Sequence, residues 1–89
     1  MKFAAEVKVS LKKLVADPQG LTIKHALESL GHKTISDVRM GKLVRIALEA
    51  KDKAEAEAKV KDMCQKLLAN PVIEEFSFNI EDLPAGRQG

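Results

Sequence analysis

The chain has 89 residues, 45% of them hydrophobic, and its 15 Lys and Arg against 13 Asp and Glu leave a net charge of only +2. This length predicts one small domain, which would be marginally stable alone, so self-association is favoured. The mixed charge, the absence of Trp and Tyr and the presence of only three Phe argue against a nucleic-acid binder, which needs basic patches and stacking platforms.

The sequence also gives an expectation for the cellular compartment of the protein. No apolar run approaches the ~20 residues that a membrane helix needs, and the charged segment Met1–Glu6 does not predict a signal peptide. The single Cys64 cannot form an internal disulfide, so nothing conflicts with a reducing cytoplasm. We expect a cytoplasmic protein without membrane or nucleic-acid partners.

The first strand is predicted over residues 3–11, where apolar and polar side chains alternate. The following Asp17 to Gly20 segment is typical of a turn, because Asp can bond to nearby backbone and Pro presets the next dihedral. A helix ending at Gly31 is then predicted. Its apolar face has the i, i+3, i+4, i+7 spacing and consists of Ile23, Ala26, Leu27 and Leu30.

A second extended region is predicted from Thr34 to Ala50, where apolar and polar residues alternate towards the end. The pair Gly41-Lys42 interrupts this region. It is compatible either with a hairpin turn or with a bulge in one long bent strand. The residues alone leave both arrangements open.

A second helix is predicted from about Lys53 to Ala69, with Asp52 and Glu55 forming a capping pair at its start. Asn70 is expected to end the helix in a left-handed conformation, and Pro71 cannot continue it. The predicted buried stripe consists of Ala56, Val60, Met63, Cys64, Leu67 and Leu68.

The last strand is predicted to place Val72, Phe76, Phe78 and Ile80 on its inner face. Residues 82–89 show no periodicity and are interpreted as a loose tail after one domain that spans residues 1–81. The element order is then βαββαβ. It predicts an α+β fold of ferredoxin-like type, with an antiparallel sheet and two helices on one face.

Candidate reactive residues do not assemble into a catalytic pattern. Cys64 lies on an apolar helix stripe without a nearby His, which favours a small buried hydrophobe over a nucleophile. His25 and His32 are interpreted as surface histidines, since two alone do not define a metal site. Gly41-Lys42 lacks the remaining residues of a phosphate-binding loop. We therefore assign no catalytic, cofactor-binding or metal-binding residue.

Other families share this predicted element order. An RNA recognition motif would carry aromatic residues in the stretch that begins at Lys42, which has none, and a copper chaperone would carry a Cys pair in its first loop. A stand-alone ACT-like regulatory domain, which binds small ligands at a dimer interface, stays open as an alternative.

A set of short motifs resembles one family in their order and spacing. Leu11-Lys12 precedes Asp17-Pro18-Gln19-Gly20, and Val38-Arg39, Gly41-Lys42, Met63-Cys64 and Lys66 to Glu74 follow. Over residues 2–81 the chain resembles PurS, the small subunit of phosphoribosylformylglycinamidine synthase. The end, Pro84–Gly89, departs from the usual acidic ending of that family, and we assign it no function.

The resemblance implies a place in purine biosynthesis. The complex converts formylglycinamide ribonucleotide to formylglycinamidine ribonucleotide with ATP and glutamine. A glutaminase subunit, PurQ, releases ammonia, and a synthetase subunit, PurL, uses ATP and Mg to activate the substrate amide and add the ammonia. PurS itself is implied to be a homodimeric or larger adaptor that bridges both, with no catalytic residue of its own.

Two polar turns are the candidate partner-binding segments, because the apolar faces of the elements they join lie elsewhere. The first contains Asp17, Gln19 and Gly20, and the second contains Arg39, Gly41 and Lys42. The extended region Thr34 to Ala50 is the predicted dimer interface, since pairing with a second copy would hide unpaired strand edges.

Overall fold

The computed structural model describes residues 1–83 and consists of three strands and two helices. The strands form one antiparallel sheet in the order β2-β1-β3, so the first strand lies at its centre. The α+β class with an antiparallel sheet is confirmed. The elements are β1 (Lys2–Leu11), α1 (Pro18–Ser29), β2 (Gly41–Glu49), α2 (Lys53–Met63), a π turn (Cys64–Leu68) and β3 (Glu74–Leu83).

The region from Thr34 to Ala50 contributes one strand, so the described sheet has one strand fewer than the predicted βαββαβ order. Pairing with β1 begins at Gly41, which lies opposite Ser10. Residues 35–40 project beyond the end of β1 and have no strand beside them in residues 1–83. Gly41 is therefore neither a hairpin turn nor a bulge, but the first residue of the β2 ladder.

The alternation predicted for β1 is confirmed and builds the core. In the centre of the sheet, Val7 pairs directly with Val44 of β2 and Phe78 of β3, and directly paired residues share one face. Helix α2 packs against β1 and β3 on that face. The buried core consists of Phe3, Ala5, Val7, Val9, Ala50, Ala56, Val60, Cys64, Ala69 and Ile80.

The Asp17 to Gly20 segment is the N-terminus of α1, which corrects its interpretation as a separate turn. Asp17 is the N-cap, and Pro18 occupies the first helical position, where its missing N–H costs no helical hydrogen bond. At the other end, Gly31 takes a φ of +103°, which confirms it as the residue that ends the helix. Asp and Pro, which are common in turns, are also common at the start of a helix, and here α1 begins at Pro18.

Helix α1 does not cover the sheet, which corrects the prediction of two helices on one face. Its only buried residue is Gly20, and Leu30, predicted on the inner face, is 76% exposed. A Cβ atom on Gly20 would collide with the Val38 carbonyl oxygen, so the first turn of α1 lies directly against the segment beyond the end of β1. The helix starts outside the sheet, and its apolar face meets no described core.

The π turn after α2 explains why part of the predicted stripe is wrong. The Ala69 N–H donates to the Cys64 carbonyl at 3.0 Å, which closes a turn one residue wider than an α-helical turn. One extra residue rotates the following side chains by about 100°. Leu67 is therefore 83% exposed, whereas Leu68 and Ala69 turn towards the core.

The connection into β3 also differs from the prediction. Ala69 is extended, and Gly31 is the one residue with a positive φ in the described chain, so Asn70 is not left-handed. Val72 is 77% exposed and lies before β3, which starts at Glu74.

The inward positions of Phe76, Phe78 and Ile80 are confirmed. Strand β3 continues to Leu83, so the predicted tail does not begin at residue 82, and its remainder, 84–89, lies outside the described residues. No helix within residues 1–83 is long and apolar enough to span a membrane.

Candidate functional site

Four segments that are distant in sequence meet at one end of the sheet: residues 12–15, 17–20, 39–42 and 70–74. We call this region the end surface. It contains all six candidate partner-binding residues, so the structure brings the two predicted polar turns together. Some side chains of the end surface bond to other segments and fix its shape, whereas others point into solvent and are free to contact a partner.

Lys12 connects the exit of β1 to the turn before β3. Its backbone N–H donates to the Ile73 carbonyl at 2.8 Å, and its Nζ donates to the Pro71 carbonyl at 2.7 Å. Lys12 and Pro71 are separated by 59 residues. The sequence indicates Lys12 only as part of a motif, because its contacts depend on how distant segments of the chain come together.

Arg39 holds the loop after β1 through two hydrogen bonds. Its Nη2 atom donates to the carbonyl oxygens of Lys12 at 2.9 Å and Val15 at 2.7 Å. The guanidinium carries five N–H donors, so these two bonds leave donors available to a partner. Arg39 thus has a structural role that its position in a polar turn did not reveal.

The Asp17 side chain links α1 to the residue before β2, and only 9% of its surface is exposed. Its Oδ1 accepts from the Gly20 N–H at 2.9 Å, and its Oδ2 accepts from the Met40 N–H at 2.7 Å. These two bonds, aided by the nearby Arg39 charge and opposed by desolvation, hold the pKa of Asp17 below its ordinary value of 3.8. The ionised carboxylate is used internally, so Asp17 shapes the surface.

Lys42 and Gly41 occupy the start of β2. Lys42 Nζ lies 3.8 Å from Glu74 Oε2, and Glu74 also accepts from the Asn70 N–H at 2.7 Å through Oε1. The Lys42 side chain is 62% exposed, so this ion pair contributes little to stability and leaves the ammonium group accessible. A Cβ on Gly41 would lie 2.8 Å from the Val9 carbonyl oxygen, so glycine permits the close approach of β2 to β1.

A cavity of about 240 Å³ lies within the end surface. Its walls combine carboxylate, ammonium and amide groups with apolar side chains. No group of three His, Cys, Asp or Glu side chains comes together among residues 1–83, so the described chain offers no metal-binding cluster. The mixed polar and apolar walls are suited to contact with another molecule. The lining residues are Val9, Ser10, Leu11, Asp17, Gln19, Met40, Gly41, Lys42 and Glu74.

Exposed apolar side chains flank the polar groups of the end surface. Leu14 is fully exposed in the loop that Arg39 holds, and Val72 is 77% exposed in the turn that Lys12 holds. No pattern in the sequence indicates Leu14, and the exposure of Val72 shows that its predicted place on the inner face of the last strand is wrong. Apolar groups rimmed by polar ones are typical of surfaces that contact other proteins.

Cys64 lies away from the end surface. It is completely buried, which confirms its interpretation as a small core residue, and desolvation raises the pKa of its thiol. A buried thiol with a raised pKa holds little thiolate at neutral pH and is a poor nucleophile.

Comparisons with known proteins agree with one another. A family model described as PurS, phosphoribosylformylglycinamidine (FGAM) synthase, matches residues 4–82. The phosphoribosylformylglycinamidine synthase subunit PurS of Bacillus subtilis is 42% identical over 93% of this chain and 98% of its own length. The subunit of the same name from Archaeoglobus fulgidus is 47% identical over 83% of this chain and 92% of its own length.

Solved structures extend the similarity to the fold. Thermus thermophilus PurS aligns with a TM-score of 0.84 at 39% identity and covers 94% of this chain and 100% of its own. A chain from a structure of PurLQS from Thermotoga maritima also aligns with a TM-score of 0.84, at 32% identity, over 91% of this chain and 99% of its own.

Proposed function

Because the chain belongs to the PurS family of phosphoribosylformylglycinamidine synthase subunits, we propose that it is the small adaptor subunit of that enzyme. The enzyme converts formylglycinamide ribonucleotide to formylglycinamidine ribonucleotide in purine biosynthesis. In this proposal the chain bridges a PurQ glutaminase and a PurL synthetase and supports the transfer of ammonia between them. The similar chain from the Thermotoga maritima PurLQS structure supports an assembly of this kind.

The observation that carries the proposal is the convergence of the motif segments at the end surface. Hydrogen bonds from the side chains of Lys12 and Arg39, and to that of Asp17, hold the four segments together. The same surface presents Lys42 and Leu14 outward. A rigid frame that displays charged and apolar groups is the arrangement that protein docking requires, since little ordering remains to be done on binding.

The chemistry of the reaction is assigned to the partners. We place ATP and Mg in the synthetase subunit, and we place glutamine hydrolysis in the glutaminase subunit. The groups of this chain bind and position, because the Asp17 carboxylate is committed to backbone N–H donors and Cys64 is buried. We also propose that the working form is a homodimer, because β2 is an edge strand of the described sheet and the preceding residues 35–40 pair with no strand among residues 1–83.

The test is co-purification of the chain with PurL and PurQ in the presence of glutamine and ATP, followed by an assay of glutamine-dependent amidine synthesis. We expect a complex on gel filtration, and amidine synthesis that depends on the added chain. The isolated chain should show neither glutaminase nor ATPase activity. An ACT-like regulatory domain would instead bind a small ligand alone and would not enter the complex, which would refute the adaptor role.

A further inference from the structure

We propose that the end surface binds an acidic surface of a partner protein, whose carboxylates contact an exposed cationic patch and whose apolar side chains contact the apolar groups beside it. The cationic patch is defined by the side chains of Lys12, Lys13, Arg39 and Lys42. The inference rests on the proposed function, because it names the chemistry by which the end surface recognises a partner subunit.

The first step is that the cations of the patch lie close together, although they come from two separate segments of the chain. Arg39 donates to the Lys12 carbonyl at 2.9 Å, and Lys13 follows Lys12 in the same loop. The side chains of Lys12 and Lys42 both contact residues 70–74, the turn into β3. The fold therefore gathers these positive charges at one end of the sheet.

The second step is that the carboxylates of the end surface are used internally. Asp17 is 9% exposed, and both of its oxygens accept backbone N–H groups. The Glu74 side chain is 16% exposed, accepts a backbone hydrogen bond through Oε1 and approaches Lys42 through Oε2. Asp37 and Glu75 are exposed and border the patch along the chain, so they mark its limits. The end surface thus keeps its own negative charges inside and presents positive ones.

The third step is that the cations stay charged and accessible. The side-chain hydrogen bonds of Lys12 and Arg39 go to backbone carbonyls, which orient the cations without neutralising them. Lys13 is exposed, and Lys42 is 62% exposed with its carboxylate partner 3.8 Å away. A surface that presents one sign of charge attracts the opposite sign and speeds its association. The patch is therefore matched to carboxylates.

The fourth step identifies the occupant as an acidic protein surface. Two copies of the patch facing each other would bring like charges together, which disfavours a second copy of this chain. A nucleic acid would need aromatic side chains for stacking, but Phe3, Phe76 and Phe78 belong to the core or pack against it. The exposed Leu14 and Val72 lie beside the cations instead. Apolar groups rimmed by charged ones match a protein surface of the opposite charge.

Charge reversal tests the proposal with two matched double variants. Lys13→Glu with Lys42→Glu reverses two charges of the patch, and Lys53→Glu with Lys61→Glu makes the same change at exposed positions of α2. We expect the patch variant to associate with PurL and PurQ at least about tenfold more slowly, because electrostatic steering raises association rates by about 10- to 1000-fold. The α2 variant should associate at the rate of the unaltered chain in a biosensor assay. Equal slowing of both variants would overturn the proposal.

Salt dependence tests the same point on the unaltered chain, where no substitution can disturb folding. Raising the salt from about 0.1 M to about 1 M shortens the screening length from about 10 Å to about 3 Å. We expect the association rate of the unaltered chain to fall over this range and that of the patch variant to change much less.

The outcomes separate this proposal from the adaptor role. A complex with PurL and PurQ that forms at the same rate at both salt concentrations would refute the acidic partner surface and leave the adaptor role intact. An unaltered chain that joins no complex would refute the adaptor role, and this proposal with it. Oligothymidine that binds the chain as tightly as the partner subunits do would overturn the proposal in favour of a nucleic-acid surface.

Discussion

The Oδ2 atom of Asp17 accepts a 2.7 Å hydrogen bond from the backbone N–H of Met40, which lies 23 residues later in the chain. This bond joins the N-terminus of α1 to the residue before β2. It places the start of α1 at the end surface, so one carboxylate contributes both to the shape of the proposed docking surface and to the position of α1.

Asp17→Asn is expected to lower the melting temperature by several degrees at neutral pH, because an amide replaces one acceptor oxygen with a donor facing a backbone N–H. The folded pKa of Asp17 is depressed, so its stabilisation is present above the ordinary value of 3.8 and is lost as the pH falls through the folded value. The difference from the unaltered chain should therefore shrink at acid pH. Thermal unfolding across this range, with exposed Asp62→Asn as the control, measures it.

Arg39→Ala is expected to destabilise the chain by about 1 kcal/mol, because two backbone carbonyls lose a charged donor. It should also weaken complex formation with PurL and PurQ, since the loop carrying Leu14 is released. Denaturant unfolding and complex yield on gel filtration are the measurements. Unaltered unfolding would show that the two hydrogen bonds contribute little.

Lys42→Ala is expected to change stability by less than about 0.5 kcal/mol, because its ion pair with Glu74 is exposed. It should reduce complex yield and glutamine-dependent amidine synthesis, as a charged group at a docking surface does when it is truncated. Gln19→Ala should act in the same direction but more mildly, because a neutral amide loses less. Normal assembly by both variants would place the docking surface elsewhere.

Leu14→Ser together with Val72→Ser is expected to weaken complex formation without lowering the melting temperature. Both side chains are exposed, so their removal costs the free chain little buried area. Exposed Leu67 lies outside the four segments, so Leu67→Ser is the matched control. An equal loss of complex in the control would mean that apolar exposure in general, and not the end surface, supports assembly.

Cys64 should react slowly with a thiol reagent in the folded chain and rapidly in denaturant. Its side chain is buried, so the reagent cannot easily reach the sulfur. Desolvation raises the pKa of the thiol, so little of it is in the reactive thiolate form. The rate of colour release from an aromatic disulfide reagent measures this. A fast reaction under native conditions would show that the segment around the π turn opens readily.

Much of the fold follows from local patterns. The alternation in β1 predicts a strand with one buried face because successive side chains point to opposite sides. The cap at Asp52 and the stop at Gly31 follow from short-range hydrogen bonding and backbone sterics. These effects act within a few residues, so they can be read from the sequence without a structure.

The end surface depends on contacts that no local pattern encodes. Lys12 contacts Pro71, and Asp17 contacts Met40, only because the strands bring distant segments to one end of the sheet. The π turn shifted Leu67 outward because one wider turn changes the rotation of every following side chain.

The sequence by itself determined which side of each element is apolar and, through the ordered motifs, the family. The tertiary structure decided what covers each apolar side. Helix α1 has the periodicity of a packed helix, yet the anchoring of Gly20 against Val38 carries its face beyond the sheet of its own chain. Periodicity reports the rotation of side chains about one axis, whereas the direction of that axis depends on contacts with the rest of the molecule.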